Sequence, residues 1–334
     1  MDYFEDDLHR CIIQGDKRTL DEYLERGLDI NHAFRSNDCP ERVGQTMVEA
    51  AIENDQINIV QTLVRNGCNT NLKYIVDVCN YSYILKPYKK RERLKLTVMY
   101  KCIVKEDVPM IKLLVQGGFD VNIIDDRGWS PLMHAVDMDN YEMVKAILIN
   151  ENCDVNISDT AKLRPLHIAA MHANNKIASQ LVRRGAKVDV VQIRGWTPLI
   201  LSCRADCVKT TRLLLLNGAN PNHVGLNSHT PLSTALQFSV CRDIPEMLLE
   251  AGASVDVNLI KRCRSEKFQN IILHPELMEL IKYCAEGPQS LRTLTCLVIR
   301  NSLIHSPQNT HLMKKVENLP LPKLIKDYIL LGHL

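Results

Sequence analysis

No Cys-x-x-Cys pair, no glycine-rich phosphate loop and no Gly-x-Ser-x-Gly elbow occurs in this 334-residue chain. Those absences argue against a zinc ribbon, a nucleotide-binding loop and a serine-hydrolase nucleophile. The His167/His172 and Cys203/Cys207 pairs have no second pair at zinc-site spacing, so no metal and no cofactor is expected. Long apolar runs are also missing. Leu213–Leu216 is four residues long, against the roughly 18–20 needed to span a bilayer. The opening residues Met1–Asp7 are acidic where a secretory signal would be basic and then apolar. A net charge of +2 disfavours a dominant nucleic-acid surface or a polybasic membrane anchor. The twelve cysteines stand singly, as reduced thiols do. The expectation is a soluble intracellular protein, cytoplasmic and with the nucleus also open to it.

What is present is a repeat. The tetrapeptides Trp129-Ser130-Pro131-Leu132, Leu163-Arg164-Pro165-Leu166, Trp196-Thr197-Pro198-Leu199 and His229-Thr230-Pro231-Leu232 place their prolines 34, 33 and 33 residues apart. About twenty residues after each proline comes a second signal. These are Asn152-Cys153-Asp154-Val155-Asn156, Gly185-Ala186-Lys187-Val188-Asp189, Gly218-Ala219-Asn220-Pro221-Asn222 and Gly252-Ala253-Ser254-Val255-Asp256. Two short amphipathic helices fit between the signals. Proline suits a first helical turn, the preceding Ser or Thr can cap it, and the later glycine supplies a left-handed exit. Ala169 and Ala170 allow close helix approach, and His167 and His134 are read as residues that tie neighbouring loops. This 33-residue punctuation resembles the ankyrin repeat.

Weaker copies precede these four, ending at Gly27, Gly67 and Gly118. Their spacings of 40 and 51 imply insertions near 37–42 and 74–93. The expected fold class is an all-α repeat solenoid: about seven ankyrin repeats over 4–257, degenerate capping helices over 258–287, and a separate tail over 288–334. Leu273, Leu277, Leu280 and Ile281 carry the helical spacing of the cap, with a helix starting at Pro275.

In the tail, Leu291, Leu294, Val298 and Ile299 share one helical stripe. Leu319-Pro320-Leu321-Pro322 then opens a second helix through Leu324 and Tyr328. This tail resembles the SOCS box, and with the repeats the chain resembles the ankyrin-repeat and SOCS-box family. That resemblance implies a non-catalytic substrate receptor of a cullin-RING ubiquitin ligase, with no catalytic residue of its own. Its first tail helix would bind Elongin C, carried with Elongin B. Leu291 would be the anchor, and Leu294, Thr295, Val298 and Ile299 would complete the surface. Leu319, Pro320, Leu321, Pro322, Leu324 and Tyr328 would face a cullin, usually cullin-5 with its RING-box protein. The family usually has cysteine where Thr295 stands. Cys296 is about 100° further around the helix and does not replace it. The Thr295 hydroxyl can instead bond back to the Leu291 carbonyl, so Elongin binding is expected to persist.

For the unknown protein substrate, the residues two before each proline are the candidates: Trp129, Leu163, Trp196 and His229, with Arg127 and Arg194 nearby. Met171, His172, Arg204 and Phe238 should lie near the ends of first helices. The same tryptophans could equally cover the adjacent finger. Lys86–Arg93 is a basic cluster beside Tyr81, Tyr83 and Tyr88. It reads as a solvated loop, or as a site for an acidic partner or RNA. Two readings stay beside the leading one. The first is an ankyrin scaffold or inhibitor that acts without a ligase. The second, nucleic-acid binding through residues 86–95, is not the expectation.

Overall fold

The computed structural model describes residues 2–34, 45–69, 73–77, 93–265, 268–286 and 316. Its helices come in pairs. In the first compact unit, Met1–Ile157, they are α1 (Asp2–Gln14) with α2 (Lys17–Glu25), α3 (Met47–Glu53) with α4 (Ile57–Arg65), α5 (Val98–Val104) with α6 (Val108–Gln116), and α7 (Pro131–Asp137) with α8 (Tyr141–Ile147). In the second, Ser158–Leu334, they are α9 (Pro165–Met171) with α10 (Asn175–Arg183), α11 (Pro198–Arg204) with α12 (Val208–Leu216), and α13 (Pro231–Phe238) with α14 (Asp243–Glu250). Three further helices follow: α15 (Val257–Ser265), α16 (Gln269–Leu273) and α17 (Glu276–Glu286). Seven pairs therefore occupy the places of the seven repeats among the described residues.

Within each unit the first helices of successive pairs pack side by side, and the second helices form a parallel layer behind them. The first helices start where the sequence caps them. Ser130 Oγ accepts the Met133 N–H at 3.3 Å, Thr197 Oγ1 accepts that of Ile200 at 3.4 Å, and Thr230 Oγ1 that of Ser233 at 3.1 Å. Asp16, Asp107, Asn140 and Asn174 cap the second helices of their repeats in the same way. Ala135, Ala169, Ala170 and Ala235 are fully buried, so the backbones meet closely there. Leu132, Leu166, Leu199 and Leu232 fill the layer between, each removed from water at a gain of about 2 kcal/mol.

Two turns shape each repeat. Gly185, Gly218 and Gly252 leave their second helices at φ near +90° (88°, 89° and 91°), as the C-cap reading requires. The repeat ending at Asn152 has no such glycine. Its chain leaves α8 through successive turns, Ile149 N–H to Ala146 C=O and Asn150 N–H to Ile147 C=O, and this is the one repeat 34 residues long. The turn between the helices of a pair is also left-handed, at Gly15, Asp55, Glu106, Asp139, Ala173 and Asp206. Only one of those six is glycine.

A feature outside the all-α pattern stands at the two ends of the longer insertion. Strands β1 (Lys73–Asp77) and β2 (Arg93–Thr97) pair antiparallel, Lys73 opposite Thr97 and Asp77 opposite Arg93. The basic cluster from Lys86 to Glu92 lies outside the described residues. At the shorter insertion the flanks are joined, Phe34 N–H donating to the Gln45 carbonyl at 2.9 Å.

The chain after Asp256 departs from the sequence expectation in one respect. Leu273 and Leu277 belong to different helices. Pro275 pushes the residue before it out of the helical region, and His274 sits at φ −130°, ψ 75°. Leu277 and Ile281 are buried as expected, Leu280 is half-buried and Leu273 is exposed. Helix α16 packs on α13, extending the first-helix layer by one place. Asn270 Nδ2 donates to the Cys241 carbonyl at 2.9 Å and secures it.

Candidate partner-binding surface

Each finger that leads into a first helix closes the same way. The N–H groups of Asp125, Asp159, Gln192 and Gly225 donate to the carbonyls of Trp129, Leu163, Trp196 and His229 at 3.0, 3.0, 3.1 and 2.8 Å. The four residues picked two before each proline are therefore structural equivalents, and all four are half-buried.

In the first unit, Asp125 organises the finger. Its Oδ1 accepts the N–H groups of Arg127 at 2.9 Å and Trp129 at 2.8 Å, and its Oδ2 faces His134 Nε2 at 3.0 Å. The Arg127 guanidinium lies 4.8 Å over the Trp129 ring, whose other neighbour is His134 at 5.1 Å. Burial acting alone would raise the Asp125 carboxyl. The hydrogen bond and charge of His134, the Trp129 N–H and the Arg127 charge outweigh it and hold the group below the usual carboxylate range. Burial pushes His134 below its ordinary value in spite of that carboxylate. Trp129 here braces its own finger.

In the second unit, His167 plays the tying role read from its position. Its Nδ1 accepts the Arg164 N–H at 3.2 Å, which places the proton on Nε2. Nε2 donates to the carbonyls of Val190 at 3.1 Å and Trp196 at 3.2 Å. Arg164, which has no capping oxygen, is served by this ring instead. Burial drives His167 down to about 4 against the two carbonyl bonds. Asparagine does similar work behind the fingers: Asn222 Nδ2 donates to the Gly252 carbonyl at 2.8 Å and its Oδ1 accepts the Ser254 N–H at 2.7 Å. Asn122 does the same toward Asn152 and Asp154 in the first unit.

The surface next to Trp196 differs from that next to Trp129. The cation over Trp196 is Arg204, at 5.0 Å, and not Arg194, which is exposed at the finger tip. Arg204 ends α11 and lies also 5.3 Å over the Phe238 ring, which ends α13. His229 meets Trp196 edge-on at 6.1 Å. Gly225 is needed behind the indole: a Cβ there would stand 2.9 Å from Trp196 Cδ1 and 3.0 Å from the Gly195 carbonyl. Sequence reasoning named Arg204 and Phe238 but left them out of the site. Their signal is the repeat register itself, since Met171, Arg204 and Phe238 follow one another at 33 and 34 residues.

Several of the described thiols are packing groups. Burial pushes Cys11 and Cys68 up to about 11 and Cys102 and Cys203 up to about 12. Among the described residues no group of three or more His, Cys, Asp or Glu gathers as a metal site, and no helix is long and apolar enough to cross a membrane.

The second candidate site is the tail. Leu291, Leu294, Thr295, Val298, Ile299, Leu319, Pro320, Leu321, Pro322, Leu324 and Tyr328 all lie outside the described residues. Sequence comparison addresses the regions involved. The family model for ankyrin repeats (3 copies) matches residues 75–159 and 166–259, and that for the SOCS box matches 287–330. The chain belongs to the ankyrin-repeat and SOCS-box family. Ankyrin repeat and SOCS box protein 16 of Mus musculus is 25% identical over 290 residues, covering 66% of this chain and 64% of that protein. ZDHHC13 of Danio rerio is 27% identical over 172 residues, 51% of this chain and 26% of its own length. FPV034 of Fowlpox virus (strain NVSL) is 26% identical over 150 residues, 45% and 29%. The chain thus spans less than two thirds of each of these relatives.

Proposed function

We propose that this chain is a substrate receptor of an Elongin B/C–cullin–RING ubiquitin ligase. The observation that carries the reading is the joining of ankyrin repeats at 75–259 to a SOCS box at 287–330 in one chain. The repeats hold a target protein on the finger and first-helix surface. The tail inserts Leu291 into Elongin C, with Leu294, Thr295, Val298 and Ile299 beside it. The Leu319–Pro322 element with Leu324 and Tyr328 selects cullin-5 and its RING-box protein. The receptor does no bond-making itself. It holds a target lysine near the charged conjugating enzyme, and the rate gain comes from effective concentration. Degradation of the target follows. The nine described cysteines, all free thiols, suit a cytoplasmic location.

The test compares tagged wild-type chain with Leu291→Asp in cells whose proteasome is blocked. Proteins captured by both forms should carry ubiquitin chains only with the wild type. Equal ubiquitination of the captured proteins would favour a scaffold acting without a ligase, the reading that Thr295 in the usual cysteine position keeps in view. Replacing Leu319–Pro322 with alanines should remove cullin-5 and leave Elongin C. Retention of cullin-5 would refute the assignment of that element.

A further inference from the structure

Arg204 is an exposed guanidinium held between two aromatic rings, Trp196 at 5.0 Å and Phe238 at 5.3 Å. No described carboxylate pairs with it. A guanidinium that rests on ring faces keeps its five N–H donors available to a partner. Residues 158–242 contain eleven Lys and Arg but only three acids. All three acids are engaged by the fold itself. Asp159 accepts the Leu163 N–H at 2.7 Å and Asp189 the Asn220 N–H at 2.8 Å. Asp206 accepts the Cys241 N–H at 3.2 Å and the Ser239 hydroxyl. Cations therefore outnumber acids across this stretch.

Apolar side chains stand beside them. Ile193 is 65% exposed and Leu226 58%, both on finger tips. The tips are rungs of one ladder: Ile193 N–H donates to the Ala161 carbonyl at 2.9 Å and Leu226 N–H to the Arg194 carbonyl at 3.2 Å. The finger that carries Ile193 runs directly into Trp196, the residue that Arg204 covers. Phe238 is 40% exposed and Met171, at the place equivalent to Arg204 in the preceding repeat, 51%.

We infer that Arg204 is a carboxylate receptor that captures an Asp or Glu side chain of an extended partner segment, while the flanking aliphatic residues of that segment rest on Ile193 and Leu226. This deepens the reading of the repeats as the substrate-holding surface and rests on it. A planar guanidinium takes a carboxylate through two parallel bonds, and pre-stacking removes much of the ordering cost. Loss of such a charge-assisted pair weakens binding by about tenfold or more.

The test selects binders from a random peptide library of about twelve residues, displayed on phage, against full-length chain, and repeats the selection with Arg204→Glu and Arg204→Gln. Wild-type selections should be enriched in Asp or Glu next to Leu, Ile, Val or aromatic residues. Arg204→Glu should select Lys or Arg in that place. Arg204→Gln should bind the wild-type peptides about tenfold more weakly or worse. Circular dichroism melting keeps the comparison to folded protein, with Arg204→Gln serving if the glutamate variant does not fold. Absence of binders, no acidic preference, or the same peptides from wild type and the folded variant would overturn the inference. Copurification with Elongin B and C is measured on the same preparations. Because Arg204 is remote in sequence from the tail, loss of that copurification in the wild type would count against the ligase reading alone.

Discussion

His167 donates its Nε2–H to the carbonyl of Trp196, 29 residues further along the chain, at 3.2 Å. One ring thus fixes the finger on which a candidate binding residue stands. Because the fold holds this histidine neutral down to about 4 and the unfolded chain does not, protons bind preferentially to the unfolded state below the ordinary value of 6.5. The depressed value means that stability is fully present above about 6.5 and is lost as pH falls toward 4, by about 3 kcal/mol at most. Urea unfolding followed by tryptophan fluorescence at about pH 7 and pH 4.5 checks this, and His167→Gln should flatten that part of the slope. At neutral pH the same substitution should cost about 2 kcal/mol, through strained or missing bonds to Val190 and Trp196. An unchanged slope would show that the titration lies elsewhere.

Gly225→Ala should dislodge Trp196. The added Cβ would stand 2.9 Å from the indole and 3.0 Å from the Gly195 carbonyl, and a backbone oxygen cannot swing aside. A loss of about 1–3 kcal/mol is expected, with a shift in tryptophan emission. A variant with wild-type melting and emission would contradict the packing described.

Ala173→Gly should stabilise the second unit. Ala173 sits at φ 57°, a left-handed conformation that costs an L residue about 1 kcal/mol, partly offset by the extra freedom of an unfolded glycine. A gain of about 0.5 kcal/mol in denaturant melting is the expected size. Destabilisation would mean the Ala173 methyl contributes packing that outweighs the strain.

Much of this molecule was readable from its sequence, and the exceptions have physical causes. Proline, the Ser/Thr before it and the closing glycine are local devices, so the starts of the four proline-led first helices and most exits of their second helices followed from a few adjacent residues. The structural equivalence of Trp129, Leu163, Trp196 and His229 followed from register alone. What escaped notice depends on side chains that the fold, and not adjacent position, brings together. Arg204 covers Trp196 from eight residues further along, at the far end of α11. Arg194, two residues away, was the local guess. The β1–β2 ribbon lies in the insertion, outside the repeat register, although Arg93-Leu94-Lys95-Leu96-Thr97 does alternate polar and apolar residues as a strand would. Helix α15, Val257–Ser265, falls within the stretch read as capping helices. The left-handed turns at Asp55, Glu106, Asp139, Ala173 and Asp206 carry no glycine to announce them.

Thr295→Cys should leave Elongin C binding intact and tighten it by about fivefold, since a hydroxyl in an apolar contact costs about 1 kcal/mol. Titration calorimetry with purified Elongin B/C reads this directly. Weaker binding by the cysteine variant would show that the Thr295 hydroxyl has become part of the interface.

The ligase-receptor account is tested most directly by coexpression with Elongin B and Elongin C followed by size-exclusion chromatography, with Leu291→Asp alongside. A stoichiometric complex that the variant fails to form, while still melting like the wild type, is the predicted result. A folded wild-type chain that elutes apart from Elongin B and C would contradict it, and the repeats would then stand as a binding scaffold on their own.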